Sequence, residues 1–341
     1  MTESRSRERV LPTQEGVVGA RPELGGAFAT PSFADKSRDQ AGESGLIRAP
    51  ATITLRGREL AWGSRTFIVG ILNVTPDSFS GDGLLAATPS GEGWVQERAV
   101  EVARTMAEQG ADVLDIGGES SRPGHAEVDA AEERRRVVPV IAAVRAALPE
   151  IPISVDTVKP SVAEAALDAG ADLLNDVWGV ADDDSMARLA AERSVPLIVM
   201  HNRAEARYRN LLAEVIADLE RALERAVRAG VEWDQLIVDP GFGFGKAPVH
   251  NLALLRGLGE LRILGRPIML GTSRKSTLGK VLDLPADQRL EATLATTALG
   301  IAAGVDLVRV HDVRPNVRVA RMSDAVLRGM PMDWLPQGDR A

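Results

Sequence analysis

One phrase recurs after residue 65 of this chain: a short apolar run, a polar loop, then a longer amphipathic stretch. The apolar runs are too short for helices and do not alternate as a half-exposed strand would. That is the pattern of a parallel sheet covered on both faces. Strands are expected over 67–72, 113–116, 151–155, 173–175, 197–200, 236–238, 268–270 and 307–310. Helical spacing lies between them, over 95–109, 132–148, 161–168, 186–192, 211–229, 252–261 and 290–303, with 317–327 after the last strand. Several helices stop at a glycine with an aspartate two residues on: Gly110-Ala111-Asp112, Gly170-Ala171-Asp172 and Gly304-Val305-Asp306. Glycine accepts the left-handed backbone that closes a helix, so this punctuation has a mechanism. Eight strand–helix units predict an α/β chain folded as a (β/α)8 TIM barrel over 51–330. A doubly wound open sheet is the alternative that spacing does not remove. The segment 56–62 reads as a small hairpin arm capping the barrel bottom.

The 341 residues are 45% apolar but only 4% aromatic, so Ala, Val, Leu and Ile must do the packing. A net charge of −8 argues against a nucleic-acid surface as the main role. No apolar run approaches the roughly 18 residues that span a bilayer. Cysteine is absent, which removes disulfides, thiolate nucleophiles and Cys-ligated zinc and fits a cytoplasmic enzyme. Residues 1–50 mix Ser, Gly, Pro, Ala, Arg and Glu, with Phe28 and Phe33 the only aromatics. They lack the apolar core of a secretory signal, and their acids do not suit a transit peptide. A disordered N-terminal extension is expected there, and a short C-terminal tail over 331–341.

Barrel chemistry collects where the strands end, because eight loops converge on one mouth. The expected strands run into Asn73, Asp115, Asp156, Asn175, His201, Asp239, Ser273-Arg274-Lys275-Ser276 and Arg309-Val310-His311. A single aspartate there reads as a strand cap; the set of eight reads as a site. Leu72-Asn73-Val74-Thr75-Pro76-Asp77-Ser78-Phe79-Ser80 is either a polar turn or a loop presenting oxygens to a metal or phosphate. Asp115, Asp156, Asn175 and Asp239 make a floor of acceptors with one amide, suited to an N–H-rich heterocycle such as a pterin or guanine. Lys275, Arg309 and His311 suit a phosphorylated group. The run from Gly241 to Lys246 is not a nucleotide P-loop, because its spacing differs and no hydroxyl follows the lysine. His125 and Glu127 match a fragment of a zinc-deaminase signature that a cysteine-free chain does not complete. His250, at a helix start, reads as structural.

In order, the motifs are LNVTPDSFS, DIGGESSRPG, SVDT, LND, a VMH strand end, VDPGFGFGK, TSRKS and VRVHDV. Together they resemble the dihydropteroate synthase family, the sulfonamide targets of folate biosynthesis, over about residues 67–327. The resemblance implies condensation of (7,8-dihydropterin-6-yl)methyl diphosphate with 4-aminobenzoate, giving 7,8-dihydropteroate and diphosphate. It implies a Mg²⁺ contacted by Asn73, and a pterin pocket of Asp115, Asp156, Asn175, Asp239 and Lys275 walled by Met200 and Phe244. Arg309 and His311 would bind the diphosphate. Ser121, Arg122, Pro123 and Ser276 would serve the aminobenzoate. A homodimer is the family expectation. The chain departs from the common pattern at Ser121, usually Thr, and in the order Gly81-Asp82-Gly83. A pterin-binding methyltransferase and a pterin binder without turnover are the competing readings.

Overall fold

A computed structural model of the chain describes residues 50–75, 94–119, 128–179 and 183–330. A hairpin comes first, β1 (Ile53–Leu55) paired antiparallel with β2 (Arg58–Leu60). The parallel strands are β3 (Phe67–Asn73), β4 (Val113–Gly117), β5 (Ile153–Asp156), β6 (Leu173–Asp176), β7 (Leu197–Met200), β8 (Leu236–Asp239), β9 (Met269–Leu270) and β10 (Leu307–Val310). They run in the order β8-β7-β6-β5-β4-β3-β10-β9. A parallel bridge between Val238 and Ile268 joins the two ends of that order. Beside it the Val238 N–H donates to the Pro267 carbonyl at 2.9 Å. The sheet is thus a (β/α)8 barrel and not an open doubly wound sheet.

The helices are α1 (Trp94–Glu108), α2 (Ala130–Ala147), α3 (Pro160–Asp168), α4 (Ser185–Arg193), α5 (Leu211–Arg228), α6 (Pro248–Arg256), α7 (Ser276–Leu282), α8 (Leu290–Ala302) and α9 (Val313–Arg328). Several elements differ from expectation. The helix expected over 252–261 starts earlier, at Pro248, and breaks at Gly257 into 3₁₀ turns over Leu258–Leu264. A Cβ at Gly257 would lie 2.1 Å from a Leu212 methyl carbon, so the chain turns where only glycine fits against α5. The short α7 falls where sequence spacing predicts no helix; seven residues are too few to show a periodicity. Strand β5 starts at Ile153, since Pro152 has no N–H for the ladder; its carbonyl accepts from Leu114 at 3.0 Å.

The expected arm is present, with strands that begin at Ile53, before residue 56. Its turn residues Arg56 and Gly57 have φ of 50° and 75°, the left-handed pair that matches strand twist in a tight hairpin. Ile53, Leu55 and Leu60 then pack on Phe67, Val113, Leu173, Ile198, Ile237, Met269 and Leu307, most of them at strand starts. The hairpin therefore plugs the barrel at the N-terminal ends of its strands and leaves the other end for chemistry. A second, larger core lies between strands and helices and is built mainly from Ala, Val, Leu and Ile.

Candidate active site

Parallel register carries polar residues to a common height. Asp115 stands beside Ser154 in the ladder, Asp156 beside Asn175 and Met200 beside Asp239. Asp115, Asp156, Asn175 and Asp239 are all buried. Buried carboxylates need partners. Arg309 supplies them from β10: its Nε donates to Asp115 Oδ2 at 2.5 Å and its Nη2 to Asp156 Oδ2 at 2.6 Å. Asn175 Nδ2 donates to the same Asp115 oxygen at 3.1 Å. Asp115 Oδ1 and Asn175 Oδ1 are buried with no hydrogen-bond donor among the described residues. Orphaned buried acceptors are costly, and a ligand bearing N–H groups would satisfy them.

Charge balance in this floor is uneven. Burial pushes Asp156 up to about 7, against the pull of Arg309 and with Asp115 adding to the rise. For Arg309, burial opposes the charge, but Asp115 and Asp156 outweigh it and raise its pKa above the ordinary value. Lys275 is pulled down to about 8 by burial, with Asp239 opposing. Asp239 itself is pushed up by burial, while Lys275 and the Gly241 N–H, which donates to its Oδ1 at 2.7 Å, hold it back.

Lys275 is placed by the loop after β8. Its Nζ donates to the Phe242 carbonyl and lies 4.4 Å from the centre of the Phe244 ring. A Cβ on Gly243 would sit 2.9 Å from Lys275 Cδ, so this glycine, at φ 87°, lets the loop lie on the lysine. Ser276 opens α7 directly after Lys275. His311 follows β10; its N–H donates to Ser273 Oγ at 3.1 Å, and the hydroxyl lies 2.9 Å from His311 Nδ1. With the hydroxyl donating to Nδ1, the imidazole proton is on Nε2.

The structure thus joins Asp115, Asp156, Asn175 and Arg309 in one network and Asp239, Lys275 and Phe244 in another. The two act on each other electrostatically, Lys275 on Asp156 and Arg309 on Asp239. Met200 is buried at the end of β7 and Asn73 half-buried at the end of β3. Ser121, Arg122 and Pro123, together with 76–83 and the extension, lie outside the described residues.

Other polar residues stand here to which the sequence assigns no role in the pocket, although His201 and Arg274 lie in the expected strand ends. Arg274 reaches across to Asp312, Nη2 to Oδ1 at 2.6 Å, and ties the loops after β9 and β10 together. Glu119 Oε1 accepts the Val128 N–H at 3.0 Å, and Lys159 pairs with Glu119 and, at 2.6 Å, with Glu133. Lys246 and His201 are also buried here. For Lys246 the signal is present in sequence, a lysine closing a glycine-rich run.

A family described as pterin binding enzyme matches residues 69–311. A dihydropteroate synthase of Clostridium beijerinckii is 46% identical over 272 residues, covering 80% of this chain and 98% of its own length. Among solved structures, dihydropteroate synthase of Thermus thermophilus in complex with 6HMPPP is 43% identical with a TM-score of 0.68, covering 81% of this chain and 100% of that one. The same enzyme in complex with 4-aminobenzoate is 42% identical with a TM-score of 0.69, at the same coverage of both chains.

Proposed function

From the premise that this chain belongs to the pterin-binding enzyme family, and within it to the dihydropteroate synthases, we propose how its residues divide the condensation of a dihydropterin methyl diphosphate with 4-aminobenzoate. The observation that carries the assignment is the pair of orphaned buried acceptors, Asp115 Oδ1 and Asn175 Oδ1, beside the carboxylates of Asp115 and Asp156. A pterin ring presents several N–H donors on one edge, and this floor answers them. Asp239 and Lys275 complete the pocket, with Met200 and Phe244 as its apolar walls.

Arg309 and the Nε2–H of His311 receive the diphosphate and stabilise the charge that develops on it as it leaves. Asn73, at the end of β3, offers a hard amide oxygen at the mouth. That donor set suits Mg²⁺, which keeps several waters and takes substrate phosphate oxygens as ligands. When bound, it would add charge neutralisation on the leaving group. The pterin methylene becomes cation-like as the C–O bond breaks, and the Asp115 carboxylate stabilises it across the ring. The aminobenzoate nitrogen then adds to the methylene and gives up a proton to solvent, with Ser276 helping to hold its carboxylate and Ser121, Arg122 and Pro123 serving the rest of its site. The substitution is dissociative and forms no covalent enzyme intermediate; trapping a pterinyl–enzyme adduct would overturn this step.

A second copy of the chain would cover the exposed apolar side chains Leu299 on α8 and Met322 and Val326 on α9, as a homodimer in the cytoplasm. No described helix is long and apolar enough to cross a membrane. The deciding experiment for the site is diphosphate release with both substrates and Mg²⁺. Lys275→Ala is expected to lose at least about a hundredfold in kcat/KM, roughly 2.7 kcal/mol of transition-state stabilisation. Near-normal turnover would remove Lys275 from the site.

A further inference from the structure

The loop after β8 is held from behind by a buried lysine to which the reaction assigns no part. Lys246 Nζ donates to the Gly241 carbonyl at 3.0 Å and the Phe244 carbonyl at 3.1 Å, so one ammonium closes the turn on itself. Its third partner is His201 Nδ1 at 2.7 Å. Since Nδ1 accepts, the imidazole proton is on Nε2, which donates to Asp218 Oδ2 on α5 at 3.1 Å. Burial, reinforced by Lys246, lowers His201 to about 4 and keeps it neutral. The hydrogen-bond partners of Lys246 are thus neutral acceptors and not a paired carboxylate, and burial pulls Lys246 down to about 7, with Asp239 opposing.

The loop packs so closely on this support that two of its glycines leave no room for a side chain. A Cβ at Gly241 would stand 1.8 Å from the His201 carbonyl oxygen, and one at Gly245 would stand 2.3 Å from that of Arg203. Tyr208 Oη donates to the Gly245 carbonyl at 2.8 Å, and the Gly243 N–H donates to Asn251 Oδ1 at 2.8 Å. The loop's opposite side carries the Phe242 carbonyl and Phe244 ring, both on Lys275, and the Gly241 N–H on Asp239.

We propose that Lys246 is a positioning residue for the pterin pocket: aimed by His201 and Asp218, its ammonium pins the 241–244 turn so that Lys275 and Asp239 are held in place for the pterin substrate. This rests on the pocket assignment above. Its signature falls first on the pterin, because among the described residues the turn meets the assigned pterin groups Lys275 and Asp239 directly.

Lys246→Met keeps the stem and removes the donors. It is expected to raise KM for the dihydropterin diphosphate about tenfold or more, equivalent to roughly 1.4 kcal/mol. The KM for 4-aminobenzoate should stay within about twofold. His201→Leu should follow Lys246→Met, whereas His201→Asn, whose amide oxygen can stand where Nδ1 stands, should recover most of the loss. A merely structural lysine would lower the active fraction, and so kcat, with both KM values unchanged; that result, or no change at all, overturns the proposal. If Lys246→Met does not fold, the His201 pair decides: equal pterin KM values for the Leu and Asn variants overturn it. Lys275→Ala and Asp239→Asn run alongside separate the two readings. If these leave pterin KM and turnover intact, the pocket assignment falls. If they impair them while Lys246→Met does not, only the role of Lys246 falls.

Discussion

Asp156 is costly to the fold it serves. Its carboxyl is buried and its pKa raised to about 7, whereas in the unfolded chain it ionises near 3.9. A carboxyl whose folded pKa is the higher one contributes least harm below about pH 4; the stability it retains there is lost as pH climbs through 7. Asp156→Asn removes the titration, so it should stabilise the protein more at pH 8 than at pH 5. Thermal melts at the two pH values check this, and a larger gain at pH 5 would contradict it. The same variant should raise KM for the pterin substrate, since Arg309 uses this carboxylate and the proposed pocket offers it to the ring. Site residues of this kind are legible in sequence because each ends an apolar run, and parallel register then brings them to one height. Lys246 and His201 are separated by 45 residues, and nothing local in either segment announces that they touch. The glycine-rich run before Lys246 fails the spacing of a phosphate loop, and its packing role is visible only in three dimensions.

The three Gly-x-Asp signals do more than end helices. Asp112 Oδ2 accepts the Ile68 N–H at 2.8 Å, Asp172 Oδ2 that of Ile153 at 2.8 Å, and Asp306 Oδ2 that of Ile268 at 3.0 Å. Each aspartate immediately precedes an even-numbered strand and latches the start of the strand before it, fixing register for the pairs β3–β4, β5–β6 and β9–β10. At the equivalent place before β8 stands Gln235, after an inserted 3₁₀ turn at Trp233–Gln235, and its Oε1 is buried without a partner among the described residues. The glycine stops are readable because they are a local backbone constraint. The latches are not, because the N–H donors that the aspartates accept lie on the neighbouring strand. Asp172 also pairs with Arg145 at 2.5 Å, so Asp172→Ala should cost about 2–4 kcal/mol. Denaturant titration measures the loss. Both KM values should be unchanged in the folded enzyme, since the latch lies at the opposite end of the strands from the mouth; a shifted KM would mean the two ends are coupled.

The same three aspartates fasten the hairpin to the barrel. Arg56 Nε donates to Asp172 at 2.6 Å, Arg65 Nη2 to Asp112 at 2.6 Å, and the Gly63 N–H to Asp306 at 3.3 Å. The plug is thus bolted at three points around the rim while its apolar side chains fill the bore, and the barrel's own closure begins only at Phe67. Every one of those contacts is made by residue 53 or later. A chain starting at Pro50 should therefore melt within about 2 °C of the full chain and keep its kcat and both KM values, which would leave the first 49 residues without a part in folding or turnover. A chain starting at Thr66 should behave differently. It would expose the core face that Ile53, Leu55 and Leu60 cover and leave Asp112, Asp172 and Asp306 short of partners. Losing three buried aliphatic side chains alone is worth on the order of 5 kcal/mol, comparable with the whole stability of an ordinary domain. That shorter chain is expected to be insoluble or unfolded by circular dichroism. If it folded and turned over normally, the hairpin would be an ornament on the barrel and the latches would owe nothing to it.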